Sequence, residues 1–221
     1  MKISKPTMEV LKNFASINIS ILFRSGSELK TMTVQKNVMA QAKVAESFPA
    51  EAPIYDLNQF LATASLFTDP DFTFEERSVL ISDASGASAR YRYAAKESLT
   101  GVSDKTVKLP SVDASFDLED KAFTSALKAA SVMSLPNIAI IGRDGKIFLS
   151  ALDNNNDGAH GWETQVGETD QEFKMIYRTE LLKFLPRSYG VEISKRMITK
   201  FESTVGDLVY YVAAETGSKF D

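Results

Sequence analysis

Lys5-Pro6-Thr7-Met8-Glu9-Val10-Leu11-Lys12-Asn13-Phe14-Ala15 opens the regular structure of the chain, and Lys121-Ala122-Phe123-Thr124-Ser125-Ala126-Leu127-Lys128 repeats its charge pattern 116 residues later. In the first stretch Met8, Leu11 and Phe14 recur at spacings of three, which predicts one apolar face on a helix from Lys5 to Ala15. Ser4 is placed to cap it. Pro6 falls in the first turn, where a missing N–H breaks no helical bond. In the second stretch Phe123, Ala126 and Leu127 supply the apolar side. Lys5 and Lys12 are seven apart, as are Lys121 and Lys128, and seven residues make nearly two turns. Each pair therefore projects from one side of its helix. Two helices with the same charged face point to a tandem pair of similar α+β units.

The remaining sequence extends this reading. In the first half, Ile19–Phe23 predicts a strand, Arg24–Ser27 a turn, and Lys30–Val44 further strands. Ile54-Tyr55-Asp56-Leu57-Asn58-Gln59-Phe60-Leu61 leads a second helix to Phe67, and Asp69-Pro70-Asp71 breaks it. Three short strands follow at 71–75, 78–83 and 87–93. The polar stretch 95–108 reads as a connector, giving domains of 1–108 and 109–221. In the second half a strand at 111–116 leads into a helix from Leu118 to about Met133, with Asp117 as its cap. Ile138–Ile141 and Ile147–Leu149 flank Arg143-Asp144-Gly145, a hairpin signal. Phe173–Tyr177 predicts a strand and Thr179–Leu185 a fourth helix closed by Pro186. Three strands end the chain at 191–193, 197–202 and 208–214. The order of elements in the two halves matches, with an offset drifting from 116 to 122.

The chain has 221 residues, a net charge of −4 and no cysteine, so disulfides, thiolate catalysis and cysteine-based zinc sites are excluded. The opening residues run directly into polar helical sequence without the apolar core of a signal peptide, and no apolar run is long enough to span a membrane. An acidic total does not exclude nucleic acid, because binding depends on where the charges sit. In the fourth helix Lys183 and Arg187 are four apart and are expected to share a face, whereas the second helix carries no Lys or Arg. Exposed lysine is common on any helix. The repeat of the pair at one offset favours a basic lining that attracts phosphates without reading sequence.

Motifs that signal chemistry are weak. Asp153-Asn154-Asn155-Asn156-Asp157-Gly158 matches the first half of a calcium-binding loop, but position twelve is Thr164 and the flanks read as strands. An exposed hairpin loop is the expectation there, and no metal or other cofactor is expected. His160, the only histidine, lacks a matching nucleophile, and Trp162 reads as a loop packing residue. No phosphate-cradling or nucleophile-elbow motif is present. Two other classes stay open on residues alone. One is a metal-dependent enzyme of nucleic acid whose acids gather only in the fold, and the other an oligomeric structural protein that never meets DNA.

Three stretches resemble the sliding clamps of T-even-type (T4-like) bacteriophages: Met1–Lys5, the run Leu11-Lys12-Asn13-Phe14-Ala15-Ser16-Ile17-Asn18, and Ile54–Leu61. Lys200-Phe201-Glu202 and Tyr210-Tyr211-Val212-Ala213-Ala214 are similar to the family's end. The resemblance implies a non-enzymatic homotrimeric ring in the host cytoplasm. It has two clamp-type domains per subunit, helices on the inner face and antiparallel sheets outside. It implies that the ring encircles double-stranded DNA and tethers the replicative DNA polymerase, is loaded by a clamp-loader ATPase, and serves late-transcription factors. Carried onto this chain, Lys5, Lys12, Lys121, Lys128, Lys183 and Arg187 become the residues facing DNA. Val107 and Leu109, in and after the connector, become the partner pocket.

Overall fold

The first helix, α1 (Lys5–Ile17), begins where its sequence places it, with the Ser4 side chain accepting from the Thr7 N–H and Pro6 in the first turn. Thr7, Val10, Leu11, Phe14 and Ala15 form its buried face. These positions follow the three-and-four spacing of one helical stripe. The computed structural model describes residues 1–102 and 107–221, and the chain divides into two units, Met1–Lys105 and Thr106–Asp221.

In the first unit α1 is followed by β1 (Ile21–Phe23), β2 (Gly26–Met32), β3 (Val38–Phe48), β4 (Ala52–Ile54), α2 (Leu57–Ala64), β5 (Asp71–Phe74), β6 (Ser78–Ser82) and β7 (Ser88–Arg92). β1 pairs antiparallel with β4 and β2 with β3, while β5, β6 and β7 form a meander. Aromatic rings fill the core. Phe23 meets Phe48 at 4.7 Å between centroids and Phe60 at 6.0 Å, and Phe60 continues to Phe72 and Tyr91. α2 starts with the Asp56 carboxylate accepting from the Gln59 N–H at 3.0 Å. It ends at Ala64, short of Phe67. Leu66 and Phe67 bond back three residues, to Thr63 and Ala64, and this tighter winding closes the helix.

The second unit contains β8 (Ala114–Leu118), α3 (Asp120–Val132), β9 (Asn137–Arg143), β10 (Lys146–Leu152), β11 (Trp162–Glu168), β12 (Phe173–Arg178), β13 (Tyr189–Ser194), β14 (Ile198–Ser203), β15 (Leu208–Ala213) and β16 (Lys219–Phe220). One antiparallel sheet runs β11-β10-β9-β12-β16, and β8, β13, β14 and β15 lie side by side in that order. At the β9–β10 turn Asp144 (φ 52°) and Gly145 (φ 77°) both take positive φ, as the hairpin signal requires.

Two expectations need correction. Leu118 does not start a helix. It ends β8 opposite Tyr189, buried at 1% exposure, and α3 begins two residues later with Glu119 as its cap residue. Pairing with β13 and burial of Leu118 outweigh the helical preference of the segment. The fourth helix is also absent, and Thr179–Leu181 makes a single 3-10 turn. The reason lies in the tyrosines. The Leu185 N–H bonds the Tyr210 hydroxyl at 3.2 Å, and the Tyr189 hydroxyl donates to the Leu185 carbonyl. Phe184 stacks on Tyr210 with centroids 4.2 Å apart. Backbone groups that a helix would use are thereby bonded to side chains of β13 and β15.

Candidate nucleic-acid interface

On α1 the exposed stripe is Lys5, Glu9, Lys12 and Ser16, and on α3 it is Lys121, Thr124, Lys128 and Ser131. Each helix thus presents its two lysines on the face opposite its buried side, nearly two turns apart. The α2 exposed face, with Asn58, Gln59, Ala62 and Ser65, carries no charge. Lys183 is exposed. Arg187 is not displayed beside it on a helix, because its guanidinium donates to the Val205 carbonyl at 2.8 Å and so holds the turn between β14 and β15.

The aim of α1 is set by Glu46 on β3, whose carboxylate accepts from both the Ser4 N–H and the Thr7 hydroxyl. Burial alone would raise the Glu46 carboxyl. The hydrogen bonds from Thr7 and Ser4 outweigh it and hold the group below the usual glutamate range. α3 has no side-chain bond at its cap, and the Asp120 N–H is satisfied instead by the Ser188 hydroxyl at 3.1 Å.

At the other end of α1, buried Asn18 gathers three segments. Its amide donates to the Met32 carbonyl at 2.8 Å and the Thr100 carbonyl at 2.7 Å, and its oxygen accepts from the Ser20 N–H at 3.0 Å. Gly101, with φ +69°, lies so close that a Cβ there would sit 2.1 Å from the Asn18 amide nitrogen and 2.2 Å from the Met32 carbonyl oxygen. Beside this junction is a small cleft of about 10 Å³ lined by Arg24, Lys30, Thr31, Met32, Met39, Gly101 and Val102. That is room for roughly one water. The Thr31 hydroxyl is buried without a hydrogen-bond partner among the described residues. Val107 and Leu109 are half-buried and are not in this lining. Connector residues 103–106 lie outside the described residues. Sequence reasoning missed Asn18, Thr31 and the two methionines. The only signal in the sequence was a polar Asn at the end of an apolar helix.

The Asp153–Gly158 loop joins β10 to β11 as a hairpin, in agreement with expectation. Asp153 accepts from the Asn155 N–H at 2.9 Å and Asn156 from the Gly158 N–H at 3.1 Å, while Lys174 donates to Asn154 at 3.0 Å. Of the side-chain oxygens that the calcium pattern would use, that of Asp153 is engaged within the loop. Among the described residues no group of three or more His, Cys, Asp or Glu side chains is placed to hold a metal ion.

Antiparallel sheets with few α-helices give an α+β clamp-type fold, and solved structures share it. The A. fulgidus PCNA bound to the C-terminal region of FEN-1 superposes with a TM-score of 0.69 at 12% identity, covering 96% of each chain. The family of DNA polymerase processivity factors matches residues 2–93. The sliding clamp of Vibrio phage KVP40 is 33% identical over 97% of this chain and 99% of its own length. That of Enterobacteria phage T4 is 28% identical over 100% of both. The chain belongs to the family of T4-like phage sliding clamps, processivity factors of DNA polymerase.

Proposed function

We propose that three copies of this chain close into a ring around duplex DNA, with Lys5, Lys12, Lys121, Lys128 and Lys183 facing the phosphates and Arg187 bracing the segment that carries Lys183. The observation that carries this reading is the matched display of Lys5/Lys12 on α1 and Lys121/Lys128 on α3. Long or water-mediated lysine contacts hold DNA without stopping movement along it, since a flexible ammonium lacks the rigid fork of arginine. The ring acts without catalysis in the host cytoplasm. It makes rebinding of the replicative polymerase intramolecular, at high effective concentration. A clamp-loader ATPase places it on DNA, and late-transcription factors use the same ring.

Head-to-tail closure is supported by two sheet edges that are open among the described residues. β7 is an edge strand with Arg90 and Arg92 exposed, and β11 is an edge strand with Glu163 and Glu168 exposed. A β7 edge of one copy against a β11 edge of the next is a heterologous contact that can close a ring. We infer that partner tails dock along the connector, at Val107 and Leu109 or at the small Met32–Met39–Val102 cleft once it widens. A clamp binding the tail of FEN-1 in the A. fulgidus relative supports this mode. The flexible methionines give the cleft means to open, and Thr31 offers a hydroxyl to an incoming backbone.

The test is primer extension with polymerase and loader. Lys12→Glu with Lys128→Glu is expected to abolish long products while light scattering shows the trimer intact. Unchanged product length would overturn the DNA-facing assignment.

A further inference from the structure

The two lysine stripes are not equivalent. On α1, Glu9 lies on the exposed face between Lys5 and Lys12, four residues from one and three from the other. Positions three and four apart on a helix are surface neighbours, with Cβ atoms about 6 Å apart. On α3 the residue at the position of Glu9, 116 residues on, is Ser125, and the only acid of the helix is Asp120. Asp120 sits at the first position and accepts from the Thr124 hydroxyl at 3.1 Å. It lies eight residues from Lys128, about 12 Å along the axis. At moderate salt that exceeds the screening length of about 10 Å. Lys12 therefore has a carboxylate one turn away on its own face, and Lys128 does not. The α2 face adds no charge to the first unit.

Building on the DNA-facing role of the lysines, we propose that Glu9 acts as an electrostatic brake on the first unit, leaving α3, through Lys128, as the principal phosphate contact of each subunit. A phosphate approaching Lys12 also approaches Glu9, so attraction and repulsion largely offset. One approaching Lys128 meets no carboxylate within a turn on the same helix. The consequence is a ring whose grip on DNA comes unevenly from its two kinds of domain, with total affinity held low enough to slide.

The experiment uses the purified full-length protein and a labelled duplex DNA. Anisotropy is followed over a salt series of about 50 to 200 mM, where counterion release sets the slope. Circular dichroism melts check that each variant folds. Glu9→Gln is expected to tighten binding about threefold per copy at the low-salt end, the effect of one charge about 6 Å away in water. The reciprocal Ser125→Glu is expected to weaken it by a similar factor. Lys128→Gln should weaken binding and flatten the log–log salt slope by about 0.9 for each phosphate no longer neutralised. Lys12→Gln should do little in the parent chain but match Lys128→Gln once Glu9→Gln is present. The inference is overturned if Lys12→Gln costs as much as Lys128→Gln in the parent chain, or if Glu9→Gln leaves affinity unchanged. Lys36→Gln, at an exposed lysine in the turn between β2 and β3, separates the two levels of failure. If Lys128→Gln behaves like Lys36→Gln, the DNA-facing role falls and takes the brake with it. If Lys12 and Lys128 matter equally while Lys36 is silent, only the brake falls.

Discussion

Asn18 joins three segments of the first unit through one amide, and it does so from a site only 5% exposed. Removing the amide leaves the buried Ser20 N–H and the part-buried Met32 carbonyl without their partner, and each buried group left unpaired costs about 1–3 kcal/mol. Asn18→Ala is therefore expected to destabilise the chain by about 2–4 kcal/mol, measured by urea denaturation. Glu46 gives a second residue-scale expectation. Its folded-state carboxyl is held below the usual value, so its stabilising contribution is present in full above the unfolded value of about 4.3. It is lost as pH falls through the lower folded value. Glu46→Gln should thus flatten the acid limb of a stability-versus-pH profile below about pH 5, with the parent losing more on acidification.

At the scale of elements, α1 and α3 are both 13-residue helices with different beginnings. α1 has a serine cap and the Glu46 anchor. α3 begins at Glu119, whose backbone is extended (φ −68°, ψ 140°) as a cap requires, but whose side chain makes no capping bond. Glutamate is one carbon too long for that bond. Glu119→Asp keeps the negative charge at the helix start and brings the oxygen within reach of the Ala122 N–H. It is expected to raise stability by about 0.5–1 kcal/mol, seen as a higher thermal midpoint. The segment after β12 shows the opposite case. Its helical pattern is overruled by the Tyr189 and Tyr210 hydroxyls, both in a tyrosine-rich core where burial pushes the Tyr210 hydroxyl up to about 12.

For the whole molecule the expectation is assembly. Light scattering should report a trimer whose population depends on concentration. Arg92→Glu, alone or with Arg90→Glu, places like charge against the acidic β11 edge and should shift the population to monomer. Glu168→Arg in the same chain should restore part of the trimer. A monomer at high micromolar concentration in the parent chain would remove the ring, and retention of the trimer by the double arginine variant would remove this pairing. Loss of processive synthesis should accompany monomer formation, because topological closure supplies the tether rather than binding strength.

Period and punctuation made much of this protein legible before any fold was built. The α1 face, its serine cap, the β9–β10 turn and the meander of the first unit all follow from local patterns of side-chain spacing and backbone preference, which act over a few residues. The lysine pairs were legible for the same reason, since helical geometry alone puts residues seven apart on one side. Other features depended on partners distant in the chain. Leu118 became a strand residue because Tyr189 lies opposite it, and Arg187 lies on no helix with Lys183 but donates to the Val205 carbonyl. Asn18, Thr31 and the methionine cleft come together only when α1, β2, β3 and the start of the connector meet. Sequence by itself determined α1, the body of α3 and the lysine pairs on them, whose causes are local. Tertiary structure decided how the segment after β12 folds and where Arg187 is held, because burial and long-range hydrogen bonds are set by residues far away in the chain.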